Sequence, residues 1–346
     1  FILLYNILEA YSIGFDKGVV TSMLKETLLR GYVFVIILLK IFNFISFSTF
    51  IALFAFQYLL IVLILAFYLK SQDSLWIVFK TSRVTRKFRK KIIAIMAFTF
   101  AVIVVSVLRQ SIDGLILAAK QSLGKVGIYG LASYMVSVIM APYRSIVAIT
   151  IPVLSRAWKK KDISEINRVY RRSSINMLTF ALFLFLLIWM NFTDAIHFFN
   201  INPDYLEGKW VFFTLGLVSI IEMGTGVNSQ IIGTSTYWRF ELWTSLLLTT
   251  LIIPLSYYLT VKYGIIGPAI ANLVSFIIYN LIRFGFLWRK FGLQPFSSKT
   301  AEIIFIATVV FIPVHFAFHE MHSLSGMIIR SVVYISGFGL LVYYRD

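Results

Sequence analysis

Long apolar runs recur along almost the whole chain, and this feature leaves few folds open to it. A helix that crosses a bilayer needs roughly 17–25 apolar residues, and about ten runs of that length are present. Because the bilayer core offers no water to backbone groups, each run must satisfy its own hydrogen bonds as a helix. The sequence therefore predicts an all-α, polytopic membrane helix bundle. The predicted spans are residues 31–47, 49–69, 92–112, 127–151, 173–191, 210–231, 240–261, 265–288, 301–318 and 327–344.

The composition is too apolar for a soluble domain. Hydrophobic residues make up 59% of the 346 residues and charged residues 14%, whereas soluble domains have roughly 45–50% and 25%. The chain has no cysteine, which excludes disulfides, cysteine-ligated zinc and thiol catalysis. All connections between the runs are short, so we expect the function to lie within the helix bundle rather than in an appended soluble domain.

A net charge of +17 suits either nucleic-acid binding or membrane topology, so the positions of the cations decide between them. Most Lys and Arg residues lie in alternate connections between the runs, most densely at Lys80–Lys91 and Lys159–Lys161, and Arg283 near a helix end is counted with them. Such loops mark the cytoplasmic face and attract anionic lipids. We therefore predict membrane lipids, and no nucleic acid, as their partners. The predicted cytoplasmic segments are 14–30, 70–91, 155–172, 232–239, 289–300 and the C-terminus.

A few charged residues fall inside the predicted spans. A charge at mid-bilayer costs about 2.5–3.5 kcal/mol on the most lenient scale, so it usually faces a bundle interior or water. Most of these residues are cationic, and a cationic lumen suits an anionic passenger because Arg and Lys bind phosphate oxygens. The residues are Lys40, Arg109, Asp113, Arg144 and Glu222.

Three of these residues also have plainer interpretations. Arg109 and Asp113 lie one turn apart and can form an intrahelical salt bridge, although Arg before Asp is the less favourable order. Pro142 removes a helix hydrogen bond and predicts a kink. Beside this kink, Arg144 either lines a cavity or snorkels from a packing defect.

Small and amide residues interrupt the run that follows Glu222. Asn228 and Gln230 supply neutral hydrogen-bonding groups of the kind that sugars need, and nearby glycines give flexible backbone. Close helix packing through small residues explains the same pattern equally well.

Lys40 is predicted to face a water-filled lumen or a carboxylate such as Glu222.

A histidine cluster is the sole enzyme-like pattern in the sequence. The spacings of four and three place the imidazoles of His315, His319 and His322 on one helical face, as metal ligands would require, and Glu320 lies within the same stretch. The His-Glu-Met-His order is one residue short of the zincin spacing, and the cluster lies at the outer end of a predicted span. We favour an interfacial position over a metal site, and we predict neither a metal nor a cofactor.

Several stretches carry a family resemblance. They are Gly127–Ala132, Ile151–Arg156 with Asp162, Ile166 and Tyr170 after it, Lys262–Ala271, and Asn6–Tyr11. The first two stretches resemble the paired helices and connecting loop of the polysaccharide biosynthesis family of membrane exporters. The third resembles that family's hairpin between its eleventh and twelfth helices, and the fourth resembles the end of its fourth helix. This oligosaccharide flippase family belongs to the multidrug, oligosaccharidyl-lipid and polysaccharide exporter superfamily.

The resemblance implies two six-helix lobes around a central cavity, followed by two further helices. The chain is then expected to lack the first three helices, with the stretch before residue 14 as the end of the fourth. The expected segments are 1–90 from the first lobe, 91–290 as the second lobe and 291–346 as the two added helices. Pro268 departs from the family pattern, which has a small residue in this hairpin.

The leading functional hypothesis is a flippase that moves a lipid-linked oligosaccharide, a precursor of a polysaccharide or O-antigen, across the bacterial inner membrane by alternating access. It implies no covalent chemistry. Arg109, Arg144 and Lys40 are expected to bind phosphate, while Asp113 and Glu222 orient them or couple transport to a cation gradient.

Two alternatives stay open at this point. A cation-coupled multidrug exporter of the same fold would have an anionic lumen, which the excess of buried cations disfavours. A membrane glycan polymerase or ligase would carry catalytic groups on a large extracytoplasmic loop, whereas the longest loops here, 70–91 and 155–172, are predicted to be cytoplasmic.

Overall fold

The computed structural model describes residues 1–14, 18–72, 83–318, 320–321 and 323–345 of the chain. Within these ranges the regular structure is helical and contains no β-strand, which confirms the predicted all-α class. The α-helices are α1 (Ile2–Gly14), α2 (Gly18–Met23), α3 (Leu29–Ile41), α4 (Phe47–Ala55), α5 (Gln57–Ser71), α6 (Arg83–Lys120), α7 (Leu123–Ile139), α8 (Ala141–Lys160), α9 (Ile163–Phe198), α10 (Gly208–Gly224), α11 (Asn228–Gly233), α12 (Trp238–Tyr263), α13 (Gly267–Phe291), α14 (Ser298–Ala317) and α15 (Leu324–Arg345).

Several of the helical stretches can cross a bilayer. In the described part of the chain, five stretches are long and apolar enough, and α7 with α8 makes a sixth if this bent pair counts as one span. One stretch of 54 residues contains both α12 and α13. The larger count of about ten spans remains a prediction. The five stretches are Phe47–Ser71, Ile163–Phe198, Trp238–Phe291, Ser298–Ala317 and Leu324–Arg345.

Large apolar side chains are exposed on the outside of these helices. Phe67 on α5 is 75% exposed, and Phe305 and Phe316 on α14 are 68% and 75% exposed. A soluble protein rarely exposes apolar patches on this scale, whereas lipid chains solvate them well. The chain is therefore an integral, multi-pass membrane protein, as predicted.

The first of two compact units comprises Phe1–Met96. Its core includes the fully buried side chains of Tyr5 on α1 and of Ile61 and Leu65 on α5. The Tyr5 hydroxyl donates to the carbonyl oxygen of Thr21 at 2.8 Å, which gives the buried phenol the partner it needs. The division inferred from the family resemblance stays a prediction, with its segments at 1–90, 91–290 and 291–346.

Lys40 lies at a helix end, so its predicted place in the middle of a span is wrong. The helix α3 stops one residue after Lys40, Asn43 takes a left-handed conformation (φ 59°), and α4 begins at Phe47. Residues 31–47 therefore do not form one continuous helix. In the last turn of α3, the ammonium group lies where the helix dipole favours a cation.

The second unit comprises Ala97–Asp346, and the center of its core lies where α9 packs against α10. The ring of Phe185 on α9 stacks on Phe212 of α10, with centroids 5.7 Å apart. Gly216 makes this approach possible, since a Cβ at that position would lie 2.4 Å from the Phe185 ring. Aromatic packing thus fills the middle of this pair of helices, while polar contacts lie toward its ends. There Ser174 of α9 donates to the carbonyl oxygen of Gly224, and Lys209 of α10 donates to the Thr193 hydroxyl at 2.9 Å.

A tight turn joins α12 and α13. Gly264 takes a φ of +65°, and a Cβ on Gly267 would lie 2.4 Å from the carbonyl group of Leu259. Pro268, the departure from the family pattern, occupies the first turn of α13, where no intrahelical partner needs its missing N–H group. The turn therefore fixes the register between the two helices.

The helices α14 and α15 pack on α9. Leu178 of α9 and Tyr334 of α15 are buried in one apolar cluster. In the same interface, Arg330 of α15 is 2% exposed, pairs with Asp194 of α9 and donates to the Asn191 side-chain oxygen at 2.9 Å. A buried cation with its carboxylate thereby fixes α15 against α9.

Candidate functional site

A carboxylate at the junction of four helices is the first element of the candidate site. Asp113 on α6 is 8% exposed. It accepts hydrogen bonds from the Tyr129 hydroxyl of α7 at 2.9 Å, the Ser256 hydroxyl of α12 at 2.8 Å and the Asn272 amide of α13 at 2.7 Å. All three donors are neutral. We call Asp113 and these three residues the Asp113 cluster.

The Asp113 cluster holds a buried carboxylate without a counter-charge. Among the described residues, no Lys, Arg or His nitrogen lies within ion-pair distance of Asp113. Hydrogen bonds from neutral donors offset part of the cost of burying a charge, but they do not neutralise it. The arrangement can therefore take up a proton or a small cation and release it again.

The intrahelical salt bridge that is the plainer interpretation of Arg109 and Asp113 does not form. Arg109 is half-buried one turn before Asp113 on α6, yet the carboxylate oxygens accept from the three helices described above. Donors on neighbouring helices reach Asp113 with good geometry, whereas an Arg that precedes Asp on one helix has the unfavourable order. In the described part of the chain, Arg109 forms no ion pair.

A buried ion pair lies farther from the turn on the same two helices. Arg283 of α13 is 0% exposed, and its guanidinium pairs with Glu241 of α12. Its Nε donates to the Thr244 hydroxyl at 3.3 Å, and the cation lies 3.6 Å from the centroid of the Tyr279 ring. The assignment of Arg283 to the cytoplasmic loop charges is therefore wrong, because a carboxylate and an aromatic face replace water around it.

The predicted interruption after Glu222 is confirmed. The helix α10 ends at Gly224 and α11 begins at Asn228. Between them, Gly226 takes a φ of +68°, and a Cβ there would lie 3.1 Å from the Cβ of Ser174 on α9. Both the conformation and the close approach require glycine at this break.

Asn280 of α13 holds the broken span in place. Its amide donates to Glu222 at 2.8 Å, and its oxygen accepts from the Thr225 hydroxyl and the Asn228 amide, both at 2.9 Å. Asn228 is 1% exposed, so its amide is used inside the bundle in this conformation. The proposed pairing of Glu222 with Lys40 joins two units that are described separately, and it stays a prediction.

The predicted kink near Pro142 is confirmed. The chain bends by 44° between α7 and α8, and Pro142 lies in the first turn of α8. Arg144 is exposed on this turn, and the neighbouring Tyr143 hydroxyl lies 3.4 Å from the Gln230 amide. Gln230 therefore faces α8, whereas a cavity-lining role for Arg144 remains a prediction.

The metal hypothesis falls mainly outside the described residues, which omit His319 and His322. The ring of His315 stacks on Phe311, with centroids 5.3 Å apart. Within the residues that the structure describes, no group of three or more His, Asp or Glu side chains could hold a metal ion.

Reasoning from the sequence found Asp113 and missed its donors. A usable signal was present, because Ser256 and Asn272 are equally far from Gly264 at the turn between two adjacent apolar runs. A hairpin places such residues side by side. Counting residues outward from Gly264 along both helices in the same way also predicts that Thr244 lies close to Arg283.

Comparison with known proteins gives one informative result. No protein-family model and no curated protein matches the chain. A solved structure, "Lipid II flippase MurJ, inward closed conformation", is similar to it with a TM-score of 0.73 and 16% sequence identity, over 100% of this chain and 72% of that chain. At this identity the likeness shows the fold alone. It confirms the predicted flippase-type helical fold, whereas membership of the polysaccharide biosynthesis family stays a prediction.

Proposed function

We propose that the chain moves a lipid-linked glycan across the bacterial inner membrane by alternating access. The observation that carries this proposal is the likeness of fold, along the entire chain, to a protein named for flipping lipid II. Sequence identity of 16% leaves the substrate open. From the three cations without an ion pair among the described residues, and from the family resemblance, we propose a lipid-diphosphate-linked oligosaccharide, the precursor of a surface polysaccharide or O-antigen.

Three cations are assigned to the phosphates of this substrate. Arg109 and Lys40 are half-buried and Arg144 is exposed. None of them forms an ion pair among the described residues, so their charges remain available for an anionic headgroup. Guanidinium and ammonium groups bind phosphate oxygens through charge-assisted hydrogen bonds.

The acidic and amide residues of the candidate site have proposed roles other than phosphate binding. Asp113 couples transport to a proton or cation gradient, because it is buried and no cation among the described residues lies within ion-pair distance of it. Glu222 and Asn228 hold the break between α10 and α11 through Asn280 and adjust it between conformations. The Gln230 side-chain oxygen is buried without a hydrogen-bond partner among the described residues, so we assign it to a sugar hydroxyl.

Deletion of the gene tests the substrate class directly. We expect a lipid-linked oligosaccharide to accumulate on the cytoplasmic leaflet of the deletion strain, measured by its accessibility to a membrane-impermeant glycosidase in inside-out and right-side-out vesicles. Re-expression of the gene should restore the normal distribution. Unchanged levels and sidedness of every lipid-linked glycan would exclude this function.

Reconstituted protein tests the proposed cations. In proteoliposomes with a fluorescent lipid-diphosphate oligosaccharide, Arg109→Ala with Arg144→Ala should slow flipping by roughly tenfold or more, because each change removes a charge-assisted contact. Arg239→Ala is the matched control, since Arg239 is an exposed arginine that has no assigned role. Equal rates for the wild-type protein and the double variant would refute the assignment.

A cation-coupled multidrug exporter is the second candidate. The observation that favours it is the Asp113 cluster, since a buried carboxylate without a counter-charge suits coupling to any substrate. It predicts resistance to cationic drugs on overexpression, with no change in lipid-linked glycan. Arg109, Arg144 and Lys40, which form no ion pair among the described residues, favour the flippase over this candidate.

A further inference from the structure

A cationic cavity lies at one end of the second unit, apart from the Asp113 cluster and the buried ion pair. Its volume is about 800 Å³, and it is bounded by α9, the first turn of α14 and the last turn of α15. No acidic side chain of the described residues lines it. Its five cationic side chains are Arg168, Arg171, Arg172, Lys299 and Arg345.

One face of α9 forms the main wall of this cavity. The lining positions on α9 are 164, 167, 168, 171, 172, 175 and 176, a spacing of three and four that places them on one side of a helix. Farther along the same face, Leu178 and Leu182 are buried against α14 and α15. The cavity therefore forms where α9 runs past the ends of the two helices that cover the rest of this face.

Among the described residues, Arg171, Arg172 and Lys299 of the cavity have no carboxylate partner. Arg168 pairs with Glu165 at 2.7 Å, and Arg171 donates to a backbone carbonyl oxygen at 3.4 Å. Arg172 and Lys299 are exposed and form no ion pair with any residue that the structure describes. Cations held close together by three helices repel one another unless an anion lies between them.

The residues around the cavity indicate that it lies at the membrane surface. The lining residues at the start of α9 and α14 belong to the segments 155–172 and 289–300, which the positive-inside pattern assigns to the cytoplasm. Tyr343 and Tyr344, just before Arg345, are 78% and 81% exposed, and tyrosines of this kind lie at headgroup depth. An anion in the cavity would therefore be level with the phosphates of the inner leaflet.

We propose that this cavity is a binding site for the phosphate headgroup of an anionic phospholipid of the inner leaflet. The guanidinium groups on α9 would bind the phosphate oxygens in pairs, and Lys299 would close the site from α14. A bound lipid would then hold the ends of α14 and α15 against α9. The inference does not depend on the transported substrate.

Binding of phosphatidylglycerol to the full chain tests the proposal. The protein is titrated with short-chain phosphatidylglycerol in a neutral detergent, and bound lipid is counted by native mass spectrometry. We expect one tightly held molecule per chain, and short-chain phosphatidylcholine should not replace it. Arg172→Ala with Lys299→Ala should weaken binding roughly thirtyfold, because each cation near a lipid phosphate contributes about fivefold.

The matched control is Lys159→Ala with Lys160→Ala. It removes the same charge from the neighbouring basic loop, where both lysines are exposed and neither lines the cavity. The general attraction of this loop to anionic lipid is then reduced, but the affinity for the single tightly held lipid should fall by less than about twofold. Equal weakening in both double variants would show that net charge alone attracts the lipid and would overturn the proposal. If the cavity variant does not fold, Arg172→Ala against Lys159→Ala repeats the comparison, with a fivefold loss expected.

Inorganic pyrophosphate separates a lipid site from a site for a soluble anion. We expect millimolar pyrophosphate to displace phosphatidylglycerol only weakly, because it gains nothing from the membrane interface. If pyrophosphate binds tightly to the wild-type protein while phosphatidylglycerol does not compete with it, the cavity serves a free anion and the lipid proposal fails. Flipping activity is not measured in these titrations, so a failure here leaves the proposed transport function untouched.

Discussion

Two carboxylates at the α12–α13 hairpin are compensated differently. They are the buried Asp113 of α6, near the turn, and the half-buried Glu241 of α12, toward the open end. Near the turn, Ser256 and Asn272 donate to Asp113, with no cation in ion-pair distance among the described residues. Toward the open end, Glu241 pairs with the fully buried Arg283. The same two helices thus present neutral donors to one carboxylate and a cation to the other.

This difference separates a fixed charge from an exchangeable one. A buried ion pair is neutral as a whole, so its state stays the same as long as both partners are present. A buried carboxylate with neutral donors changes its local charge whenever a proton or cation arrives. We therefore expect Arg283 and Glu241 to support the fold and Asp113 to change state during transport.

Removal of the buried cation should have the largest effect on stability. Arg283→Met leaves Glu241 in the bundle without its partner, and breaking a buried pair in this way costs about 3–5 kcal/mol. The measurement is the free energy of unfolding of the purified protein in detergent. The double variant Glu241→Gln with Arg283→Met should recover much of the loss, because no unpaired charge remains.

Arg289→Met is the control for this prediction. Arg289 is exposed on the same helix, and surface substitutions usually change stability by less than about 0.5 kcal/mol. If Arg283→Met were as mild as Arg289→Met, the pair would not be a structural element and the contrast with Asp113 would disappear.

Neutralising the other carboxylate should affect transport rather than folding. In Asp113→Asn, the amide oxygen can still accept from Tyr129 and Asn272, and the amide nitrogen can donate to the Ser256 hydroxyl. The hydrogen bonds are therefore preserved while the charge is lost. We expect gradient-driven flipping in proteoliposomes to be abolished, with a change in unfolding free energy of less than about 1 kcal/mol.

Glu241→Gln provides the matched comparison, because it removes a charge from the paired carboxylate instead. It should lower the unfolding free energy, since Arg283 then lacks its partner. Normal gradient-driven flipping by Asp113→Asn would exclude Asp113 as the coupling group.

The features predicted correctly from the sequence are those that depend on local pattern. Apolar runs predicted most of the helices, Pro142 predicted the bend between α7 and α8, and the small residues after Glu222 predicted the break before α11. Each of these follows from residues that are close in sequence, through backbone hydrogen bonding and the conformational range of glycine and proline.

The mid-span placement of Lys40 is wrong for a local reason, because α3 ends at Ile41. The other wrong interpretations concern charges whose partners lie on other helices. Arg109 and Asp113 are neighbours on one helix, so an intrahelical bridge suggested itself, but Asp113 accepts from three different helices. Arg283 is near a helix end in sequence, yet Glu241 and Thr244 of α12 hold it inside the bundle. Such partners depend on the rotation and register of packed helices, which apolar patterns alone leave undetermined.

The smallest expected contrast is between the losses on removing one serine donor from each carboxylate. Ser256 donates to Asp113 at 2.8 Å, and Ser229 donates to Glu241 at 2.8 Å. Ser256→Ala should cost about 1.5–3 kcal/mol, because a bond to a charged acceptor without a counter-charge is lost, whereas Ser229→Ala should cost about 0.5–1 kcal/mol. Ser275→Ala is the control, since its buried hydroxyl has no partner among the described residues. Equal losses for Ser256→Ala and Ser229→Ala would mean that Asp113 is already neutral in the resting protein.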